Sequence, residues 1–162
     1  MIISWFSCGV TSAIATKITL QRKNDVRVIY IDTGSEHPDS IRFLHDCEKW
    51  FEHPIEIYSS NEYHSHFDVI EKTNFLNSPY GARCTLELKK KVRWAIEDEM
   101  KVWDSQVIGY DISEKNRAIR FRQQYPKAKA IFPLVEHQLS KSDCMALIRK
   151  AGIELPQMYR MG

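Results

Sequence analysis

Cysteine is sparse and scattered in this chain. Among 162 residues there are four, Cys8, Cys47, Cys84 and Cys144, and no two form a Cys-x-x-Cys pair. Such spacing argues against a structural zinc site built by this chain alone and against a small disulfide scaffold. Long apolar runs are missing too: nothing approaches the roughly 20 residues of a membrane helix. No basic-then-apolar leader precedes the first apolar stretch. An excess of one charge is also missing, since 23 Lys and Arg against 21 Asp and Glu leave a net charge of +2. That is too little to imply nucleic acid or a membrane surface by itself. Glycine is limited to six residues, and no Gly/Ser linker, repeat or low-complexity tract divides the chain. The expectation is one domain over residues 1–162, with a real core and a cytoplasmic setting.

What is present begins with Ile2-Ile3-Ser4-Trp5-Phe6-Ser7-Cys8-Gly9-Val10-Thr11-Ser12. Ile2 to Phe6 has the length and β-branched start of a buried strand. Small and hydroxylated residues follow, and Thr11 and Ser12 suit a helix start that Ala13, Ala15, Ile18 and Leu20 continue. Gly9 permits a left-handed backbone angle or a close approach of a ligand to the main chain. The first amides of a helix lack internal partners and carry partial positive charge, so an anion sits well there. The stretch therefore reads as a phosphate cradle. It is not a Walker loop, because Val10 stands where a Lys is needed, and it lacks the three glycines of a Rossmann fingerprint.

The rest of the chain alternates. Val26 to Asp32 reads as a central parallel strand ending at Asp32-Thr33-Gly34. A helix follows, with Asp39 or Ser40 as its cap and Ile41, Leu44, Cys47, Glu48 and Phe51 on one stripe, and Pro54 breaks it. Ile55 to Tyr58 makes a third strand. A short helix starts within His64 to Ile70, where His64 and His66, two apart, do not face a common metal. Asn74 to Arg83 is a loop by its turn residues. Cys84 to Lys91 leads into a helix with Leu88, Val92, Ala95, Ile96 and Met100 inward. Ser105 to Tyr110 is a fourth strand, and Ser113 caps a basic helix carrying Lys115, Arg117, Arg120 and Arg122. Ala130 to Val135 is a last strand, placed at an edge by Pro133. Ser140 to Asp143 is a capping box for a helix that stops at Gly152. Leu155 to Gly162 reads as an extended tail. The alternation predicts an α/β fold: a mostly parallel sheet in three layers, with helices on both faces. Ser7 to Ser12, Asp32 to Gly34 and Gly109 to Arg117 then follow strand ends on the carboxyl edge, where open α/β sheets bind ligands.

These residues resemble a known family. Ser7-Cys8-Gly9-Val10-Thr11-Ser12 with Tyr30 to Pro38 is similar to the paired motifs of phosphoadenosine phosphosulfate (PAPS) reductases and their PP-loop relatives. Cys84-Thr85 with Lys89, Gly109-Tyr110-Asp111 to Arg117, and Phe132-Pro133-Leu134 through Tyr159 look like the family's later segments. The resemblance implies an adenine nucleotide α-hydrolase-like, Rossmann-like fold and an adenine nucleotide ligand: PAPS, adenosine phosphosulfate (APS) or ATP. It places phosphate at Ser7, Cys8, Gly9, Thr11 and Ser12, and the nucleotide beside Asp32, Thr33 and Gly34. Lys89, Gly109, Tyr110, Arg117 and Arg120 complete the set, the cations neutralising sulfate or a 3′-phosphate. Cys84 is the thiol in the segment resembling the family's lid, while Cys8 reads as a small residue filling a tight turn. Two departures carry meaning. Thr11 replaces the acid of the usual Ser-Gly-Gly-x-Asp-Ser loop, which weakens ATP splitting with Mg2+ and leans toward a sulfonucleotide. The family's Glu-Cys-Gly tail is not in the sequence, and a lone Cys84 implies no iron–sulfur cluster from this chain. The expectations are thus a sulfonucleotide enzyme with a thiol reductant protein as partner, an ATP pyrophosphatase that adenylates a substrate, or a nucleotide-binding protein without turnover. The oligomeric state stays open.

Overall fold

The computed structural model describes residues 1–73 and 85–160. Five strands, β1 (Ile2–Trp5), β2 (Val26–Asp32), β3 (Ile55–Ser59), β4 (Ser105–Val107) and β5 (Ala130–Ile131), form one sheet in the order β3-β2-β1-β4-β5. β1 pairs in parallel with β2, Ile2 opposite Val26 and Trp5 opposite Ile29, and in parallel with β4, Ile2 opposite Ser105. β4 pairs in parallel with β5. Helices cover both faces, the three-layer α/β arrangement that the alternation predicts. β1 and the middle of β2 are buried, whereas β3 exposes Ile57 and Ser59. Ile3, Val28 and Ile29 are wholly inside, as expected of strands covered on both faces.

Two buried polar side chains of the central strands are hydrogen-bonded. Ser4 Oγ lies 2.8 Å from Thr16 Oγ1 of α1 (Val10–Arg22). The Trp5 indole donates to Gln106 Oε1 at 2.7 Å, joining β1 to β4 through a fully buried amide. A paired bond of this kind nets about 1 kcal/mol, whereas leaving the Gln106 amide unpaired would cost more. α1 packs on α6 (Pro133–Glu136) and α7 (Lys141–Lys150). α2 (Pro38–Phe51) turns Phe43, Leu44, Cys47 and Phe51 inward, and Phe6, just after β1, meets the Phe43 and Phe51 rings at 6.4 and 6.0 Å.

By its contacts the chain forms two compact units. The first holds Met1–Ile29, Pro38–Glu56 and Trp103–Gly162; the second holds Tyr30–His37 and Ile57–Val102. In the second unit, α3 (His66–Thr73) begins two residues after His64, whose amide donates to Asp68 Oδ2 at 2.9 Å. A π-helical turn over Leu86–Lys90 runs into α4 (Lys91–Met100). Leu88 and Ile96 are buried there, while Ala95 of the expected stripe faces solvent.

Several boundaries differ from the sequence reading, each for a local reason. Pro38 occupies the first position of α2, so Asp39 and Ser40 lie inside the helix and not at its cap. β5 ends at Ile131, because Pro133 has no amide for the ladder and opens the one-turn α6 instead. Asp111, not Ser113, is the N-cap of the 3-10 turn Ile112–Glu114 that leads into α5 (Lys115–Gln124). The tail from Leu155 is not extended throughout: Gln157–Arg160 forms α8, with Tyr159 N bonded to Pro156 O at 2.9 Å. The capping box of α7 is as predicted, Asp143 N donating to Ser140 Oγ at 3.1 Å and Ser140 N to Asp143 Oδ2 at 2.8 Å.

Candidate functional site

The strand order reverses between β1 and β4, since β2 and β3 lie to one side of β1 and β4 and β5 to the other. Open α/β sheets hold ligands at such a switch point, beyond the carboxyl ends of the two diverging strands. The loops that leave β1 and β4 both belong to the first unit. They are Ser7 to Gly9, which enters α1, and Ile108 to Asp111, which enters the 3-10 turn.

The first loop is fixed from within. Ser12 Oγ accepts from Ser7 N at 3.0 Å and Ser7 Oγ at 3.1 Å, and donates to Gly9 O at 3.1 Å. The tight turn is made at Cys8, whose φ is 60°, and Gly9 is the extended N-cap of α1 at φ −99°. The left-handed residue is therefore not the glycine that the sequence suggests. Cys8 is 3% exposed, so its side chain fills the turn. A non-glycine residue held at positive φ costs of order 1–3 kcal/mol and persists where its surroundings over-determine it. Val10, Thr11 and Ser12 form the first turn of α1, which carries no acidic residue. Val10 N donates to Tyr159 Oη at 3.3 Å. The tyrosine hydroxyl thus takes one of the amides that an anion would use.

The second loop approaches the first closely. A Cβ on Gly109 would lie 2.7 Å from Ser12 Cα and 2.8 Å from Ser12 N. Only a glycine lets the end of β4 touch the first turn of α1. Beyond it, Tyr110 stacks on Phe132 at 5.4 Å, and the Arg117 guanidinium lies over the Tyr110 ring at 4.4 Å. Arg117 is exposed and also donates to Glu114 Oε2 at 2.7 Å. Arg120 is exposed. Arg122 faces elsewhere, over the Phe132 ring and bonded to Ala130 O. Asp111, a residue the sequence reading did not single out for the site, is 7% exposed and accepts from Ser113 Oγ at 2.5 Å and Lys141 N at 3.0 Å. Its carboxylate joins the β4 loop to the start of α7, where helix amides favour negative charge.

Tyr159 is held in place by a staple between α2 and the C-terminal segment. Arg42 pairs with Asp39 at 3.0 Å and Asp46 at 2.9 Å, and donates to Glu154 O at 2.7 Å and Leu155 O at 3.1 Å. Asp39 accepts from Gln157 N at 2.6 Å and faces Arg160, which also pairs with Glu154. Lys141 Nζ stands 4.9 Å over the Tyr159 ring. The Arg42 guanidinium, which outweighs an opposing desolvation, and then the Gln157 amide hold the Asp39 carboxyl at about 2, below its ordinary 3.8. A depressed carboxylate stabilises the fold above its unfolded pKa, and that contribution is lost as pH falls through the folded value. The Gln157 amide resonance is therefore expected to be constant above about pH 4 and to titrate near pH 2 in an acid NMR titration. A midpoint near the ordinary carboxyl value would show that the staple is not formed.

In the second unit, Asp32 ends β2 and its Oδ1 accepts from Gly34 N at 2.8 Å, an Asx turn, while Thr33 Oγ1 donates to Glu36 Oε1 at 3.1 Å. Lys89 lies on the π-helical turn and is exposed. Cys84 lies outside the described residues. Burial drives the Cys47 thiol well up, with Cys8 nearby adding to it, and burial beside Asp111 and Asp143 pushes Cys144 up to about 12. Neither is a thiolate nucleophile at neutral pH. Among the described residues no group of three metal-ligating side chains occurs, and no helix is long and apolar enough to cross a membrane.

Fold and site together define an α/β protein with a tightly fixed strand-to-helix loop at the switch point of a parallel sheet. A family model for the phosphoadenosine phosphosulfate reductase domain matches residues 1–103. The chain belongs to that family. The crystal structure of PAPS reductase from Candida auris, in a phosphate complex, superposes with a TM-score of 0.70 at 14% identity, over 99% of this chain and 77% of that one. At that identity the likeness speaks for the fold. No curated protein matches the sequence. The matched region includes Ser7 to Ser12 but stops before Gly109, so the β4 loop and Tyr159 are assigned to the site on geometry and on the resemblance of their motifs.

Proposed function

We propose that this chain binds an adenine sulfonucleotide, PAPS or APS, through the first unit, and acts in the reductive chemistry of such nucleotides with a cytoplasmic thiol reductant protein as partner. The observation that supports this most is the Ser7–Ser12 loop at the switch point, fixed by Ser12 Oγ where it enters α1. The ligand's phosphate takes the Val10 to Ser12 amides, and the Tyr159 hydroxyl leaves Val10 N as it does so. Arg117, already laid over Tyr110, supplies a forked donor to a sulfate or 3′-phosphate oxygen once it leaves Glu114. Thr11 puts no acid in the loop to share a magnesium ion, so binding is expected without Mg2+. Sulfur reduction requires a thiolate, and neither Cys47 nor Cys144 supplies one. The reading rests on the first unit alone and does not use Asp32, Thr33, Gly34 or Lys89.

Calorimetry with PAPS, APS, AMP and ATP, each with and without Mg2+, tests it. PAPS or APS is expected to bind at least about tenfold (1.4 kcal/mol) tighter than ATP, independently of Mg2+. Tighter ATP binding that needs Mg2+ and releases pyrophosphate would replace this reading with ATP cleavage. No heat with any of the four would remove the adenine nucleotide altogether.

A further inference from the structure

A second concave surface of the first unit has no part in the site above. It is a groove of about 590 Å3 along the flank of α1 from Ile14 to Arg22, closed on the other side by His137, Leu139 and the last turns of α7. Its floor is apolar. Ile14 is buried, Ile18 and Leu139 are half-buried, and Leu147 is 38% exposed although it is a large aliphatic side chain. Its rim is cationic. Lys17, Arg22 and Lys150 line it, and no acidic residue does. Lys17 is held down by its bond to Trp50 O at 2.9 Å and stands 5.0 Å over the Trp50 ring, so its charge is fixed at the groove wall. No ion pair forms between Arg22, Lys150 or Lys17 and any described carboxylate.

We infer that this groove is a docking surface for an acidic amphipathic helix of a partner protein. Residues 14 to 22 of α1 span about 12 Å, which matches two to three turns of a helix laid alongside. Apolar residues at i, i+3 and i+4 of such a helix would cover Ile18, Leu139 and Leu147, the usual way an amphipathic helix fills a groove. Three cations without acidic partners set the sign of the flanking residues, because a carboxylate facing Arg22 or Lys150 is attracted and a lysine is repelled. This surface is separate from the phosphate loop, so the inference stands or falls independently of the ligand.

Two fluorescein-labelled helical peptides of the same apolar pattern, one flanked by Glu and one by Lys, serve as probes in fluorescence anisotropy with the whole chain. The Glu peptide is expected to bind at least about tenfold tighter than the Lys peptide, and more weakly as salt rises. The double variant Arg22→Glu/Lys150→Glu reverses that preference. Leu147→Asp weakens both peptides while far-UV circular dichroism and the melting temperature stay as in wild type, since Leu147 is already partly exposed. Equal binding of the two peptides, or binding of neither, overturns the inference. So does a wild-type dimer in sedimentation velocity that Leu147→Asp converts to monomer, which would assign the groove to a second copy. Co-sedimentation with vesicles containing anionic lipid, lost in the double charge variant while neither peptide binds, would assign it to a membrane.

Discussion

Gly109→Ala is expected to be among the most damaging single-methyl additions in the first unit. The new Cβ would sit 2.7 Å from Ser12 Cα, 2.8 Å from Ser12 N and 3.1 Å from Thr11 C. All three atoms are backbone in the first turn of α1, so no side-chain rotation relieves the contact. Either the end of β4 withdraws or α1 slides, and both are fixed elsewhere. Trp5 and Gln106 tie β1 to β4, and Ser4 bonds Thr16 in the second turn of α1. Overpacking a rigid contact of this kind costs about 1–3 kcal/mol. In a chain of this size that lowers the melting temperature by roughly 2–12 °C. The variant also moves Ser12, whose hydroxyl holds Ser7 and Gly9, so nucleotide binding is expected to fall with stability. Thermal melts and calorimetry on the same preparation check both effects. A wild-type melting temperature would mean that the helix start yields freely and that the loop is not pre-organised by β4.

The same region shows where the sequence was informative and where it was not. β1, β2, α1 and α2 are legible because their signals are local: a β-branched apolar run, a 3.6-residue stripe, a cluster of small residues between them. The parallel order follows from alternation alone. The turn at Cys8 is not legible, since propensity favours glycine at positive φ and only the packed surroundings put Cys8 there instead. Asp111 falls in a segment that the sequence places at the carboxyl edge, but its link to α7 is not legible, because the Lys141 amide is 30 residues away. Tyr159 resembled part of a family motif, but its bond to Val10 N spans 149 residues and depends on the Arg42–Asp39 staple. β5 was overextended because Ala130 to Val135 is apolar throughout. The missing amide of Pro133 outweighs that pattern once a neighbouring strand has to be paired.

Gly9→Val is expected to remove anion binding and leave the fold nearly untouched, the opposite balance from Gly109→Ala. Gly9 has φ −99° and ψ 160°, an extended conformation that suits a β-branched residue, so the substitution brings no backbone strain. A Cβ there meets Tyr159 Oη at 3.1 Å and Ser7 Oγ at 3.6 Å. Both are ends of side chains and can move. Tyr159 is held by its own segment through Asp39 and Arg42, and losing one hydroxyl bond to Val10 N costs only about 0.5–1.5 kcal/mol. The branched methyls, however, project beside the Val10 amide, into the space that the tyrosine hydroxyl shares with an incoming phosphate oxygen. A phosphate cannot reach that amide without overlapping them. Affinity for the best nucleotide of the calorimetric panel is expected to drop by about a hundredfold or more (roughly 2.7 kcal/mol), with a melting temperature within about 6 °C of wild type. Tyr159→Phe separates the two occupants of the amide. It removes the competing hydroxyl and adds no bulk, so it should bind at least as tightly as wild type. Wild-type affinity in Gly9→Val would place the phosphate elsewhere, whereas weakened binding in Tyr159→Phe would make the hydroxyl a ligand to the anion and not its stand-in.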